Sequence, residues 1–168
     1  MTIIQFSVRF LWLLCLQVVF LDRLLLHGFL TPYVYPLVVI LLPLTFPTWG
    51  AMLIGFGTGL TVDFFLNTGG MHALATLFLA YVRPVIIRAM RPPEGYDPDD
   101  RPTLDSMGVG WFIAFASIGI LLHHTVYFVV EVWSFSYVWY FLKKVFITSV
   151  ATLVLVLLLQ LLTAARRT

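Results

Sequence analysis

Long apolar runs broken by short polar punctuation organise this chain. The first covers Ile3–Leu21 and closes on Asp22 and Arg23. A second apolar stretch, from Leu24 to Pro47, is interrupted by Pro32, Pro36, Pro43 and Pro47. Thr48–Leu66 and Gly70–Met90 follow, joined by the tight turn Asn67-Thr68-Gly69-Gly70. After the polar segment Arg91–Gly108 come Val109–Val132 and Lys143–Thr163, with the aromatic-rich WSFSYVWYF between them. Apolar runs of such length predict transmembrane helices. The expected fold is therefore all-α and polytopic, a single integral membrane domain over residues 1–168 with six spans.

The second element is the irregular one. Leu30–Phe46 as a helix would rise only about 25 Å, against a hydrocarbon core of ~30 Å. Pro36 and Pro43 also remove backbone donors, so the expectation is a short, proline-kinked span or a re-entrant segment. The N-terminal run lacks a small-x-small cleavage site and reads as a retained first span.

Composition agrees with the pattern: 61% of the 168 residues are hydrophobic and 11% charged, with a mean hydropathy of +0.98. A net charge of +2 gives no reason to expect nucleic acid as a partner. The basic residues sit at span ends, where they report orientation. Arg88, Arg91, Arg101, Arg166 and Arg167 place the Arg91–Gly108 loop and the C-terminus in the cytoplasm, with Lys143 and Lys144 a minority on the opposite face. Trp133, Tyr137, Trp139 and Tyr140 read as an interfacial belt. Arg83, beside Pro84, reads as a residue that snorkels to the interface. Cys15 is alone and builds no disulfide framework.

Asp63 carries the chemistry of the third span. An intramembrane carboxylate is costly and marks a functional or packing-critical position. Ala51, Gly55, Gly59 and Asp63 recur at four-residue intervals, a small-residue face that admits a second helix closely. The turn at Asn67–Gly70 makes the next helix antiparallel, bringing His72 and Thr76 alongside. An Asp63–His72 side-chain pair, assisted by Asn67, is the expected lock of that hairpin. A second polar cluster is expected at His123, His124 and Glu131, with Glu131 paired to a lysine across the following loop. The spacing matches no helical zinc-protease motif, and Glu94–Asp105 does not match a calcium loop. Neither a metal, a cofactor nor a catalytic set is expected.

The stretch Gly55–Pro84, with Gly59, Leu60, Asp63, Gly70 and Ala73-Leu74, resembles the rod shape-determining family MreD, particularly members of the Bacteroidetes type. The four prolines and the HHTVYFVVE segment are similar too. The resemblance implies the fold of the substrate-binding subunits of energy-coupling-factor transporters. It also implies a scaffold of the elongation machinery in the bacterial inner membrane, binding MreC and through it MreB, RodA and its transpeptidase. The alternatives are a solute-binding or transport subunit, and a lipid-active enzyme with His123, His124 and Glu131 converging on Asp63 around a metal.

Overall fold

The computed structural model describes residues 3–21, 31–97, 100–132 and 138–165. Helix α1 runs Ile3–Cys15 and widens into a π-helix over Leu16–Leu21. A single turn, α2 (Leu37–Ile40), lies in the proline-rich stretch. Helices α3 (Thr48–Leu66) and α4 (Met71–Ala89) form an antiparallel hairpin. The short α5 (Leu104–Met107) precedes α6 (Val109–Val132), and α7 covers Val138–Ala165. No strand occurs among the described residues.

Four of these helices, α3, α4, α6 and α7, are long and apolar enough to cross a membrane. Their bounds follow the hydrophobic runs closely. The exception is α7, which begins at Val138 rather than Lys143 and so takes Trp139 and Tyr140 onto its exposed first turns. Trp133 and Tyr137 lie outside the described residues. Leu53, Phe56, Leu60 and Phe64 of α3 are exposed, as are Phe146, Val150, Val154, Leu158 and Leu161 of α7. Exposed apolar belts of this extent suit lipid rather than water.

The proline-rich element occupies the interior. Every residue from Pro32 to Leu42 is buried, yet only Leu37–Ile40 are helical. Irregular backbone at this depth is tolerated when protein groups satisfy it. Gln17 Oε1 accepts from the Val34 N–H at 2.8 Å, and Gln17 Nε2 donates to the Pro32 carbonyl at 3.4 Å. Thr152 Oγ1 on α7 accepts from the Tyr33 N–H at 3.1 Å. From α4, Arg83 Nη2 donates to the Leu42 carbonyl and, at 3.3 Å, to that of Pro43.

Arg83 therefore does not snorkel: it is 3% exposed, with its guanidinium 5.9 Å from the centre of the Phe115 ring. Carbonyls left over by the irregular segment hold it inside. Helix α4 continues through Pro84 to Ala89. Its C-terminal end is capped from the loop, where the Tyr96 hydroxyl donates to the Ile87 carbonyl at 2.9 Å, and from α6, where Trp111 Nε1 donates to that of the C-cap Met90 at 3.1 Å. Partial burial raises the Tyr96 phenol above its ordinary pKa of 10.0. It thus keeps its proton, and the donor role, at neutral pH.

The small-residue face of α3 lies against α4. A Cβ added at Gly59 would overlap Thr76 Oγ1, the His72 carbonyl and Ala73 Cα, whereas one at Gly57 would meet nothing within 4 Å. At Gly55 an added Cβ would approach the Thr76 carbonyl to 2.9 Å. The close approach is internal, between neighbouring spans. Gly59→Ala is expected to destabilise the protein by roughly 1–3 kcal/mol, the usual cost of overpacking, while Gly57→Ala leaves it unchanged or more stable by up to about 1 kcal/mol. Thermal unfolding of both variants in one detergent checks this contrast.

Candidate functional site

Two polar systems meet at the turn end of the α3–α4 hairpin. The first is built on Asp63, which is 5% exposed. At the end of α3 the chain turns left-handed at Asn67 (φ 56°), and it returns to positive φ at Gly69 (62°) and Gly70 (95°). The last two positions favour glycine because a Cβ is strained there. The Asp63 carbonyl accepts from the N–H groups of Asn67 and, at 3.2 Å, Thr68, which closes α3.

The Asp63 carboxylate then reaches across the turn. Oδ1 accepts from the His72 N–H at 3.0 Å and the Thr68 hydroxyl at 2.6 Å, while Oδ2 accepts from the Ala73 N–H at 2.8 Å. His72 and Ala73 belong to the first turn of α4, whose N-cap residue, Gly70, has no side chain to satisfy their donors. Asp63 supplies that cap from the preceding helix. Its negative charge also lies at the positive end of the α4 dipole. The expected pairing with the His72 imidazole is not what forms. Backbone donors at the helix start lie nearer the carboxylate, and the ring turns inward. Thr76, expected beside Asp63, donates instead to the His72 carbonyl of its own helix and packs against Gly59. Asn67 contributes through its backbone.

The second system is centred on Tyr35, in the irregular segment. Its hydroxyl lies 2.7 Å from His72 Nδ1 and 2.7 Å from His123 Nε2. All three side chains are fully buried. One phenol proton serves only one ring as a donated bond, so the other ring must donate to the phenol oxygen. His72 Nε2 and His123 Nδ1 have no hydrogen-bond partner among the described residues.

His124, on the neighbouring side of α6, has a defined tautomer. The Ile120 carbonyl only accepts, so Nδ1, 2.8 Å away, carries the proton. Nε2 is then the acceptor for the Thr152 hydroxyl at 3.5 Å. Thr152 simultaneously accepts from Tyr33, linking α6 and α7 to the irregular segment. Aromatic rings seal the cluster. Tyr33 stacks on His124 with centroids 5.6 Å apart, and Tyr127 stacks on His72 at 4.5 Å.

The expected cluster of His123, His124 and Glu131 is thus divided. Both histidines join Tyr35, His72 and Thr152 inside. Glu131, seven residues beyond His124, forms a partly exposed ion pair with Lys144 at 2.5 Å. Lys144 also sits 4.6 Å from the centre of the Phe128 ring. Convergence of these groups with Asp63 on a metal is not observed. No set of three or more His, Cys, Asp or Glu residues suited to a metal exists among the described residues. In the loop, the Asp100 carboxylate accepts from the Asp97 N–H at 2.8 Å and the Ser106 hydroxyl at 3.4 Å, which stabilises a local turn.

Tyr33, Tyr35 and Thr152 belong to the second system, and Gln17 and Arg83 bond the irregular segment that carries it, although the sequence pattern did not single them out as site residues. A signal existed: each is a polar group within an apolar run. Tyr33 and Tyr35 are also bracketed by Pro32 and Pro36.

Removal of the Tyr35 hydroxyl in Tyr35→Phe leaves His72 Nδ1 and His123 Nε2 buried without a partner. It is expected to cost about 1–3 kcal/mol. Asp63→Leu, which strips acceptors from two backbone N–H groups and a hydroxyl, is expected to cost at least as much, with Asp63→Asn intermediate. Glu131→Gln should change stability by less than about 1 kcal/mol, as for other surface pairs. Denaturation midpoints of the purified variants give this ranking directly. No protein-family model, curated protein or solved structure matches the chain.

Proposed function

We propose that this chain is a non-catalytic scaffold of the bacterial cell-elongation complex, MreD-like, in the cytoplasmic membrane. In this reading it holds MreC and so links MreB filaments to RodA and its transpeptidase. Helix α1 and the proline-rich element complete a six-span bundle like that of the energy-coupling-factor binding subunits. The Arg91–Gly108 loop faces the cytoplasm, in keeping with Arg88, Arg91 and Arg101 at that end.

One observation carries the proposal. The stretch that resembles the family, Gly55–Pro84, coincides with the α3–α4 hairpin, and its polar groups are committed to the hairpin's own geometry. Asp63 caps α4, Gly59 admits it, and Thr76 bonds within it. Residues arranged this way serve the packing of the hairpin and the surface it presents to a partner.

A second reading, a solute-binding or transport subunit, draws support from the Tyr35–His72–His123 cluster with its two unpartnered ring nitrogens. Buried polar groups of this type in a membrane bundle mark ligand or proton paths in other proteins.

Affinity purification from gently solubilised membranes of the native host, followed by mass spectrometry, separates the two. Recovery of MreC in near-stoichiometric amount, reduced several-fold by Asp63→Leu, is the result expected of the scaffold. Recovery of the chain alone with a bound metabolite, lost in Tyr35→Phe, would replace it with the second reading.

A further inference from the structure

A cavity of about 170 Å³ opens at the end of the α3–α4 hairpin opposite Asp63. Its wall combines Thr48 and Ala51 of α3, Arg83 and Arg88 of α4, and apolar groups including Phe46 and Ile87. That volume far exceeds the ~10–15 Å³ that one water requires.

Three features of this cavity favour an anion. Arg83 is 97% removed from solvent by its 3% exposure, and among the described residues no carboxylate pairs with it. A buried guanidinium without a counter-charge is expensive. Its bonds to Leu42 and Pro43 engage Nη2 alone, and Nε has no partner. With both Nη2 hydrogens spent on carbonyls, the buried Nε–H remains as a charge-assisted donor without a partner. Second, the 19-residue α3 begins at this wall with no side-chain cap: its N-cap is Pro47. The free N–H groups of its first turn and the helix dipole favour negative charge there. Third, Arg88 adds a second cation one turn beyond Pro84, exposed at the cavity's edge.

We infer that this cavity binds a phosphate group, held by Arg83, Arg88 and the first turn of α3. A phospholipid headgroup and a soluble phosphate share that chemistry. The apolar remainder of the wall, Leu44, Phe46, Ala51, Ala80 and Ile87, matches the glycerol and upper acyl carbons of a lipid. Trp49, 70% exposed on the same first turn, is an interfacial type of residue. The site is at the far end of the hairpin from the Asp63 cap, and its occupancy is independent of the scaffold reading.

The test uses the full chain, delipidated in a neutral detergent, with three probes: phosphatidylglycerol, inorganic phosphate, and diacylglycerol as the phosphate-free control. Thermal midpoint against probe concentration gives apparent affinity, and native mass spectrometry counts retained lipid. Two variants spare the core. Arg88→Gln removes the exposed cation. Thr48→Asp sets a carboxylate in the first turn, which favours the helix but repels an anion.

Each variant is expected to weaken binding about tenfold or more, the scale of a charge-assisted contact. Stabilisation by phosphatidylglycerol with one lipid retained, and none by inorganic phosphate, identifies the lipid as the source. Stabilisation by millimolar phosphate with the same sensitivity to both variants identifies the soluble anion. Equal stabilisation by diacylglycerol, no response to either phosphate probe, or binding unaltered in both variants would overturn the site.

Discussion

An uncoiled stretch of backbone sits at the centre of an apolar bundle, and buried polar side chains from three helices answer to it. A helix satisfies its own amides; in the segment from Pro32 to Leu42 the N–H groups of Leu37 to Leu42 bond locally, and those of Tyr33 and Val34 need side chains from elsewhere. Hydrocarbon offers no replacement for water as a partner. Gln17, Thr152 and Arg83 reach in from three different helices to meet Val34, Pro32, Tyr33, Leu42 and Pro43. The bundle is thereby pinned to its own irregular core. Apolar contact between lipid-like surfaces gives little reason for one helix arrangement over another. Directional bonds to a fixed backbone do.

The same segment joins the two ends of the hairpin. Tyr35 engages His72 near the turn, while Leu42 and Pro43 engage Arg83 near the opposite end. A rigid insert between α3, α4 and α6 thus has a polar clasp at either extremity and an apolar middle, with Val39 beside Gly55 and Ile40 beside Gly119. The glycines of α3 and α6 make room for it as much as for one another.

The long helices were legible in the sequence because their signal is one of bulk: sustained hydrophobicity between turn residues. Helices α3 and α6 began and ended where the apolar runs did, and α4 within a residue. The small-residue face and the importance of Asp63 were legible for a related reason, since a period of four and an isolated charge are local facts. Partners were not. Whether a carboxylate meets the imidazole of His72 or its main-chain N–H depends on the path of a four-residue turn, and hydropathy carries no information about that path. Arg83 was misread because snorkelling follows from distance to the interface, whereas its actual place follows from carbonyls forty residues earlier in the chain. Helical spacing grouped Glu131 with the histidines, whereas its expected pairing with a lysine across the loop is the contact that forms, with Lys144. Seven residues of rise separate the interior from the membrane edge, and Lys144 waits at the edge.

The Asp63 cap has a consequence for biogenesis. Its carboxylate finds every described partner within ten residues downstream, at Thr68, His72 and Ala73. Without α4 that carboxylate lacks its two backbone donors, and a charge near the end of a span opposes insertion by less than the ~2.5–3.5 kcal/mol of a helix centre. Once the first turn of α4 emerges from the ribosome, the penalty is offset by three hydrogen bonds. Partitioning of α3 into lipid is therefore favoured by the presence of its successor. The hairpin, and neither helix by itself, is the smallest unit in which that charge is satisfied.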